Sequence, residues 1–276
     1  MRTLKEKGTG RAPELGGGSP ADASPPPALT IKLVTYNIRK SKGIRGSRPR
    51  LEDIARNLGR VDPDILLCQE VFHGAGGEQQ SQEMARRLEL IHRYEANREY
   101  RRGHHGNATF SRFPISRHLN TDISTNRVES RGVLYTRVHP LPGETLHVFN
   151  THFGLSQKQR RRQAERLGRL VAELTDPSDA VILGGDFNDW NGQIDPLITR
   201  LAELDNAMLY MTIKERKTWS TRRPLFALDR VYYRNLHLEK VRVLSGHPWN
   251  MLSDHFPVEA LLEFRPRRGE DGKEEI

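Results

Sequence analysis

The strongest constraint in this chain is a recurring pattern: a short apolar run that ends on a polar side chain able to bind or donate. Ile31–Tyr36 ends at Asn37, and Ile65–Cys68 ends at Gln69 and Glu70. Leu146–Asn150 runs into Thr151 and His152, and Ala180–Leu183 ends at Gly184-Gly185-Asp186. Short runs of this kind, rich in Val, Ile, Leu and Tyr, predict strands. Further strands are expected over Ala108–Phe110, Gly132–Val138, Leu225–Tyr233, Leu238–Val243 and Pro257–Phe264. Helices are expected where Leu51, Ile54, Ala55 and Leu58 share a face, over Glu78–Leu90, over the basic stretch Ser156–Leu174, and near Pro196–Leu204. Many strands interspersed with a few helices predict an α/β fold with two packed sheets flanked by helices. The polar residues Asn37, Glu70, Asn107, His152, Asp186 and His255 gather at the expected strand ends, where a rigid scaffold presents chemistry on its loops.

These residues span Asn37 to His255 and must converge, so one domain is expected within the 276 residues. Its bounds are 30–264, between a Gly/Pro-rich tail (1–29) and a charged tail (265–276), both disordered by composition. The formal net charge of +9 resides mostly in the folded region and suits a polyanion: nucleic acid, an anionic lipid surface or a phosphorylated metabolite. The single cysteine, Cys68, excludes an internal disulfide and fits a reducing compartment. The N-terminal stretch has no apolar core of a secretion signal, and no run approaches a membrane span. A cytoplasmic monomer is the expectation.

Glu70, at the end of an apolar strand, either caps a turn or binds a cation; a hard cation such as Mg²⁺ needs few protein carboxylates. Asp186 and Asn188 follow two glycines, which allow tight turning and close approach to a ligand. Asp186 could orient or deprotonate a water, and Asn188 could hold a phosphate oxygen. His255, with an acid partner, becomes a candidate base or transition-state stabiliser. Asp229, the lone acid in Leu225–Tyr233, is that candidate partner, because a buried carboxylate needs a reason to be there. His152, Asn107 and Arg131 each offer a donor for phosphate, with a turn or surface role as the alternative.

Taken in order, Asn37, Gln69-Glu70, Asn107, Asn150-Thr151-His152, Gly185-Asp186-Phe187-Asn188, Asp229 and Ser253-Asp254-His255 resemble the endonuclease/exonuclease/phosphatase superfamily. The stretches Asn107–Ile115 and Thr218–Tyr232 match as well, and the resemblance covers Ile31–Phe264. It implies a DNase I-like four-layer α/β sandwich whose two central sheets are mostly antiparallel. It implies an Mg²⁺-dependent phosphoesterase, with Mn²⁺ able to substitute, that cleaves phosphodiesters by in-line attack of water. Glu70 would be the main metal ligand, with Asn37 and Asp254 on the metal side. Asp186 would position the water, and Asn188 would be a transition-state donor. His255, oriented by Asp229, would be the catalytic histidine. His152, Asn107 and Arg131 would lie on the phosphate side. A nuclease-type substrate is favoured; the alternative is a lipid- or inositol-phosphate-directed enzyme linked to phospholipid metabolism. Arg230 departs from the family, many of whose members carry an aromatic residue after the orienting Asp, and this weakens any transfer of DNA specificity. An apolar, Trp-bearing loop around His247–Leu252 would favour lipid; a continuous basic groove would favour nucleic acid.

Overall fold

The computed structural model describes residues 28–43, 50–126 and 128–266. Most of both expected tails lies outside the described residues. Two six-stranded sheets pack face to face. In the first, β11 (His237–Val243), β12 (Val258–Phe264), β1 (Leu29–Asn37), β2 (Ile65–Gly74), β4 (Gly103–Ser111) and β3 (Ile91–Tyr100) lie side by side. The second has the order β5 (Ile115–Asp122), β6 (Gly132–Val138), β7 (Leu146–His152), β8 (Ala180–Asp186), β10 (Asp229–Arg234) and β9 (Asp205–Asn206). β1 and β2 run parallel, as do β7 and β8; the other described pairings are antiparallel.

Strand alternation sorts the side chains into layers. Ile31, Leu33, Ile65, Leu67, Val148, Ile182, Val231, Ala260 and Leu262 meet between the sheets. The intervening Val34, Tyr36, Leu66, Cys68, Ala108 and Phe110 face outward, onto α1 (Leu51–Val61), α2 (Gln80–Leu88) and the short α5 (Trp249–Leu252). Phe149, Val181, Leu183 and Tyr232 face α3 (Gln157–Leu174) and α4 (Asp195–Ala202). The result is the expected four-layer sandwich.

This alternation also positions the polar residues. Continuing β1 inward from Ile31 and Leu33 gives Thr35 and Asn37; continuing β8 from Ile182 gives Gly184 and Asp186. On β10, Asp229 shares the inner face with Val231, while Arg230 points to the other face. One end of the inter-sheet space is therefore lined by Asn37, Asn150, His152, Asp186 and Asp229, all buried. The opposite end is closed by apolar side chains such as Phe264 and Ala180.

The structure corrects several sequence expectations. β3 and β5 are additional strands; as sheet edges with exposed faces, Ile91–Tyr100 and Ile115–Asp122 lack an apolar run. The strand expected from Leu225 begins only at Asp229, because Phe226 instead pairs with Trp219 in an isolated bridge. Glu70 and Asn107 lie inside strands rather than at their ends. Gly184 and Gly185 belong to β8 and make no turn; a Cβ on Gly185 would lie 1.9 Å from the Thr151 carbonyl oxygen, so close strand contact requires the glycine. Trp249, in the loop that would have favoured lipid, is buried edge-on against Tyr36 with ring centroids 5.7 Å apart.

Candidate active site

Asp186 is the hub. Its Oδ2 accepts a hydrogen bond from Asn37 Nδ2 at 2.9 Å, and its Oδ1 accepts one from the Asn188 backbone N–H at 3.0 Å. The imidazoles of His152 and His255 place Nε2 at 3.4 and 3.6 Å from the same Oδ2. Behind His255, Nδ1 lies 2.8 Å from Asp229 Oδ2. Asp229 is fixed in turn, since Thr218 Oγ1 accepts its backbone N–H at 3.2 Å. A single chain, Asp229–His255–Asp186–Asn37, thus crosses from one sheet to the other.

The charges fit this geometry. Burial raises the Asp186 carboxyl and Asp229 adds to the effect; His255 and the bond from Asn37 act against it, and the group comes to about 6. Burial alone would lower His255, but the Asp229 and Asp186 carboxylates outweigh it and carry the imidazole up to about 10. Burial, reinforced by Arg131, holds His152 well below its ordinary value and so neutral.

Glu70 forms a second, more open cluster. A register shift in β2 between Cys68 and Val71 accompanies left-handed backbone at Glu70, φ 54°. Such backbone is uncommon for a non-glycine residue and turns the carboxylate out of the strand's alternation. Its Oε2 lies 2.5 Å from Lys40 Nζ. Burial pushes this carboxyl up; positive charge on His152, where that imidazole is protonated, and the Lys40 ammonium that also hydrogen-bonds it act the other way. With His152 neutral it is Lys40 that keeps the group below the usual carboxylate range. Asp254 lies on the same side: Ser253 Oγ donates to the Asn37 carbonyl at 2.7 Å, and Arg39 Nε is 3.5 Å from Asp254 Oδ2.

The expected phosphate-side donors are engaged with the protein itself. Asn107 Nδ2 donates to the Gly132 carbonyl at 3.1 Å, Asn188 Nδ2 to the Phe153 carbonyl at 2.9 Å, and Arg131 Nη2 pairs with Glu129 at 2.6 Å. Asn107 Oδ1 and Asp229 Oδ1 are buried without a partner in the protein, polar atoms of the kind that a site leaves for solvent or ligand. Asn150 straps the sheets together: its Nδ2 donates to the Cys68 and Ala108 carbonyls at 3.2 and 2.9 Å, and its Oδ1 accepts from Gln69 Nε2 at 2.8 Å.

Two participants were not visible in the sequence. Lys40 lies in a loop without periodicity; its only signal would have been proximity to Asn37. Arg230 was noted only as a departure. Its guanidinium is buried against Asp189, Nη1 to Oδ2 3.0 Å, and Asp189 also accepts the backbone N–H groups of Gln193 and Ile194 at 3.1 Å each. The pair pins the loop that follows Asn188.

The comparisons agree with this fold. Residues 34–255 match the Endonuclease/Exonuclease/phosphatase family. The chain belongs to that family. It is 34% identical over 243 residues to the uncharacterized protein YbhP of Escherichia coli K12, covering 84% of this chain and 96% of the relative. Among solved structures it resembles an endonuclease/exonuclease/phosphatase from Beutenbergia cavernae, with TM-score 0.72 and 19% identity over 86% of this chain and 72% of the other. It also resembles the mannosyl-6-phosphatase of Bacteroides thetaiotaomicron, with TM-score 0.69 and 20% identity over 84% of this chain and 99% of the other. At those identities the structural likeness establishes the fold, and the site must be argued from its own residues.

Proposed function

We propose that this chain is a divalent-cation-dependent hydrolase of phosphate diesters, with Mg²⁺ as the expected cation and Mn²⁺ able to replace it. The observation that supports this most is the buried chain Asp229–His255–Asp186, set beside the ionised carboxylate of Glu70. Glu70, Asp254 and the Asn37 amide oxygen would hold the cation. They are an all-oxygen set of the kind Mg²⁺ prefers, and Lys40 already supplies positive charge against Glu70. When bound, the cation supplies Lewis-acid stabilisation of charge on the phosphoryl and leaving oxygens.

A second grouping competes for that role. Asp186, Asp229 and His255 place ligand atoms within 4.8 Å of one another. His255 Nδ1 is already engaged with Asp229, and the imidazole is charged at neutral pH, so it is a poor metal ligand there. We therefore assign the triad to proton and phosphate chemistry. Asp186, near 6, is poised to accept a proton from the attacking water at neutral pH. Asn37 and the Asn188 backbone fix its orientation. The His255 imidazolium donates from Nε2 to a phosphoryl oxygen as charge develops, while Asp229 holds Nδ1. Neutral His152, with Asn107, Arg131 and the Asn188 amide, lines the substrate side.

Net charge supports nucleic acid as the substrate. A phospholipid substrate is the second reading, and a specific observation favours it: an exposed apolar segment that is hydrogen-bonded to the Asp254–His255 loop, described below. We take the chain to act as a cytoplasmic monomer; its buried single cysteine supports a reducing compartment. Among the described residues no helix is long and apolar enough to cross a membrane.

The test is a matched panel of DNA, RNA, phosphoinositides, sphingomyelin and glycerophospholipids with Mg²⁺ or with a chelator, using His255→Ala as control. Turnover of at least one diester that needs the cation and is lost in the variant is expected. No turnover of any member, or turnover that survives His255→Ala, would overturn the proposal.

A further inference from the structure

Eleven large hydrophobic side chains are exposed among the described residues, and four of them fall within one short segment. Leu209 is 60% exposed, Tyr210 72%, Ile213 71% and Leu225 49%. Leu209, Ile213 and Leu225 line a single surface hollow of about 340 Å³. Side chains of this size left in water at one place mark a contact surface.

The same segment is strongly basic. Residues 209–225 contain five cations, at Lys214, Arg216, Lys217, Arg222 and Arg223, against one acid, Glu215. None of the five is in an ion pair among the described residues. Glu215 is turned to its own loop, where it accepts from the backbone N–H and the hydroxyl of Thr212 at 3.0 and 2.7 Å.

The segment is fastened to the catalytic end. The Thr221 backbone N–H donates to the Asp254 carbonyl at 3.0 Å, and its hydroxyl donates to the Ser253 carbonyl at 2.9 Å. Trp219 bridges to His255 by strand pairing, and Thr218 holds the backbone of Asp229. The middle of the segment is therefore joined to the loop that carries Asp254 and His255.

We propose that the Leu209–Leu225 surface docks the chain on an anionic phospholipid bilayer. Exposed apolar side chains flanked by Lys and Arg suit the boundary between headgroups and acyl chains, where the first insert and the second meet lipid phosphates. A nucleic-acid backbone would satisfy the cations and leave Leu209 and Ile213 in water. A two-fold contact with a second copy would bury the apolar groups and set the five cations against the same five. Docking needs no turnover, so it can fail or succeed independently of the proposed hydrolysis.

The experiment is co-sedimentation of the full chain, without added metal, on vesicles of phosphatidylcholine alone or of phosphatidylcholine with phosphatidylglycerol. Binding is expected on the anionic vesicles and should weaken as salt rises. Leu209→Ser with Ile213→Ser should weaken it by about tenfold or more through lost apolar burial. Lys214→Ser, Arg216→Ser and Lys217→Ser should each weaken it by roughly fivefold at low salt. Each variant is surface-directed, and an unchanged thermal melt shows that it folds. Absence of binding to anionic vesicles, or binding that the folded variants retain in full, overturns the proposal. So does a wild-type dimer in light scattering that the Leu209→Ser/Ile213→Ser variant loses, since the surface would then belong to a second copy. Retention of DNA through these same residues, with vesicles ignored, would assign the surface to nucleic acid and overturn it equally.

Discussion

Asp186, Asp229 and His255 are buried and bound to one another, whereas Glu70 is only partly buried, stands on left-handed backbone and is met by one long lysine. The first cluster is closed: its positions are set by β8, β10 and the turn before β12, and its hydrogen bonds run from sheet to sheet. The second is open, and its balancing charge sits on a flexible stem able to leave. A site that must activate a water needs the first kind of structure; a site that must admit and release a cation needs the second. The difference is the basis for proposing separate work for the two sets of carboxylates, although all of them crowd the same end of the molecule.

The sharpest break is Asp186→Asn. It keeps the shape and removes the proton acceptor, so turnover should fall by about 10² to 10⁴-fold with cation affinity nearly unchanged. Parallel loss of cation binding in calorimetry would merge the two clusters into one. Next is Arg230→Ala, which removes one partner from a buried ion pair and leaves Asp189 uncompensated. Chemical denaturation should show a loss of about 3 to 5 kcal/mol. A loss near zero would mean that the Asn188 loop is held without this pair.

Asp229→Asn sharpens the comparison through pH. The folded-state value of His255, about 10, lies above the ordinary 6.5, so its ionisation stabilises the fold fully below pH 6.5 and is lost as pH rises through 10. The wild type should therefore lose more stability than Asp229→Asn between those limits in urea unfolding. Equal losses would remove Asp229 as the cause of the raised histidine. The smallest effect is expected from Lys40→Ala. Removing the competing ammonium should tighten Mg²⁺ binding by a few-fold in calorimetry, with some loss of thermal stability, because both side chains of the pair are only about one fifth exposed. Weaker cation binding in this variant would make Lys40 part of the site and not its placeholder.

The sequence revealed the closed cluster better than the open one, for a physical reason. Asn37, Asp186 and Asp229 extend strand alternation from apolar neighbours, so periodicity announces both the strand and the inward direction of the side chain. Arg230 shows the same logic in reverse: one step along β10 puts it on the outer face, where it meets Asp189. Lys40 has no such frame. It sits in a loop of three consecutive left-handed residues, Arg39, Lys40 and Ser41, and reaches Glu70 only through tertiary structure. β3 and β5 were illegible because edge strands with a solvated face need no apolar run. The apolar part of the Leu209–Leu225 surface was hidden because exposure is not written in residue type. Leu225 reads as a strand residue until Phe226 is seen pairing with Trp219.

The most direct test of the two-cluster account is isothermal titration of Mg²⁺ into the wild type, Glu70→Gln and Asp186→Asn, with turnover measured on the same samples. The account predicts that Glu70→Gln loses cation binding and turnover together, whereas Asp186→Asn binds the cation and fails to turn over. Retained binding in Glu70→Gln with binding lost in Asp186→Asn would contradict it, and would place the cation among Asp186, Asp229 and His255.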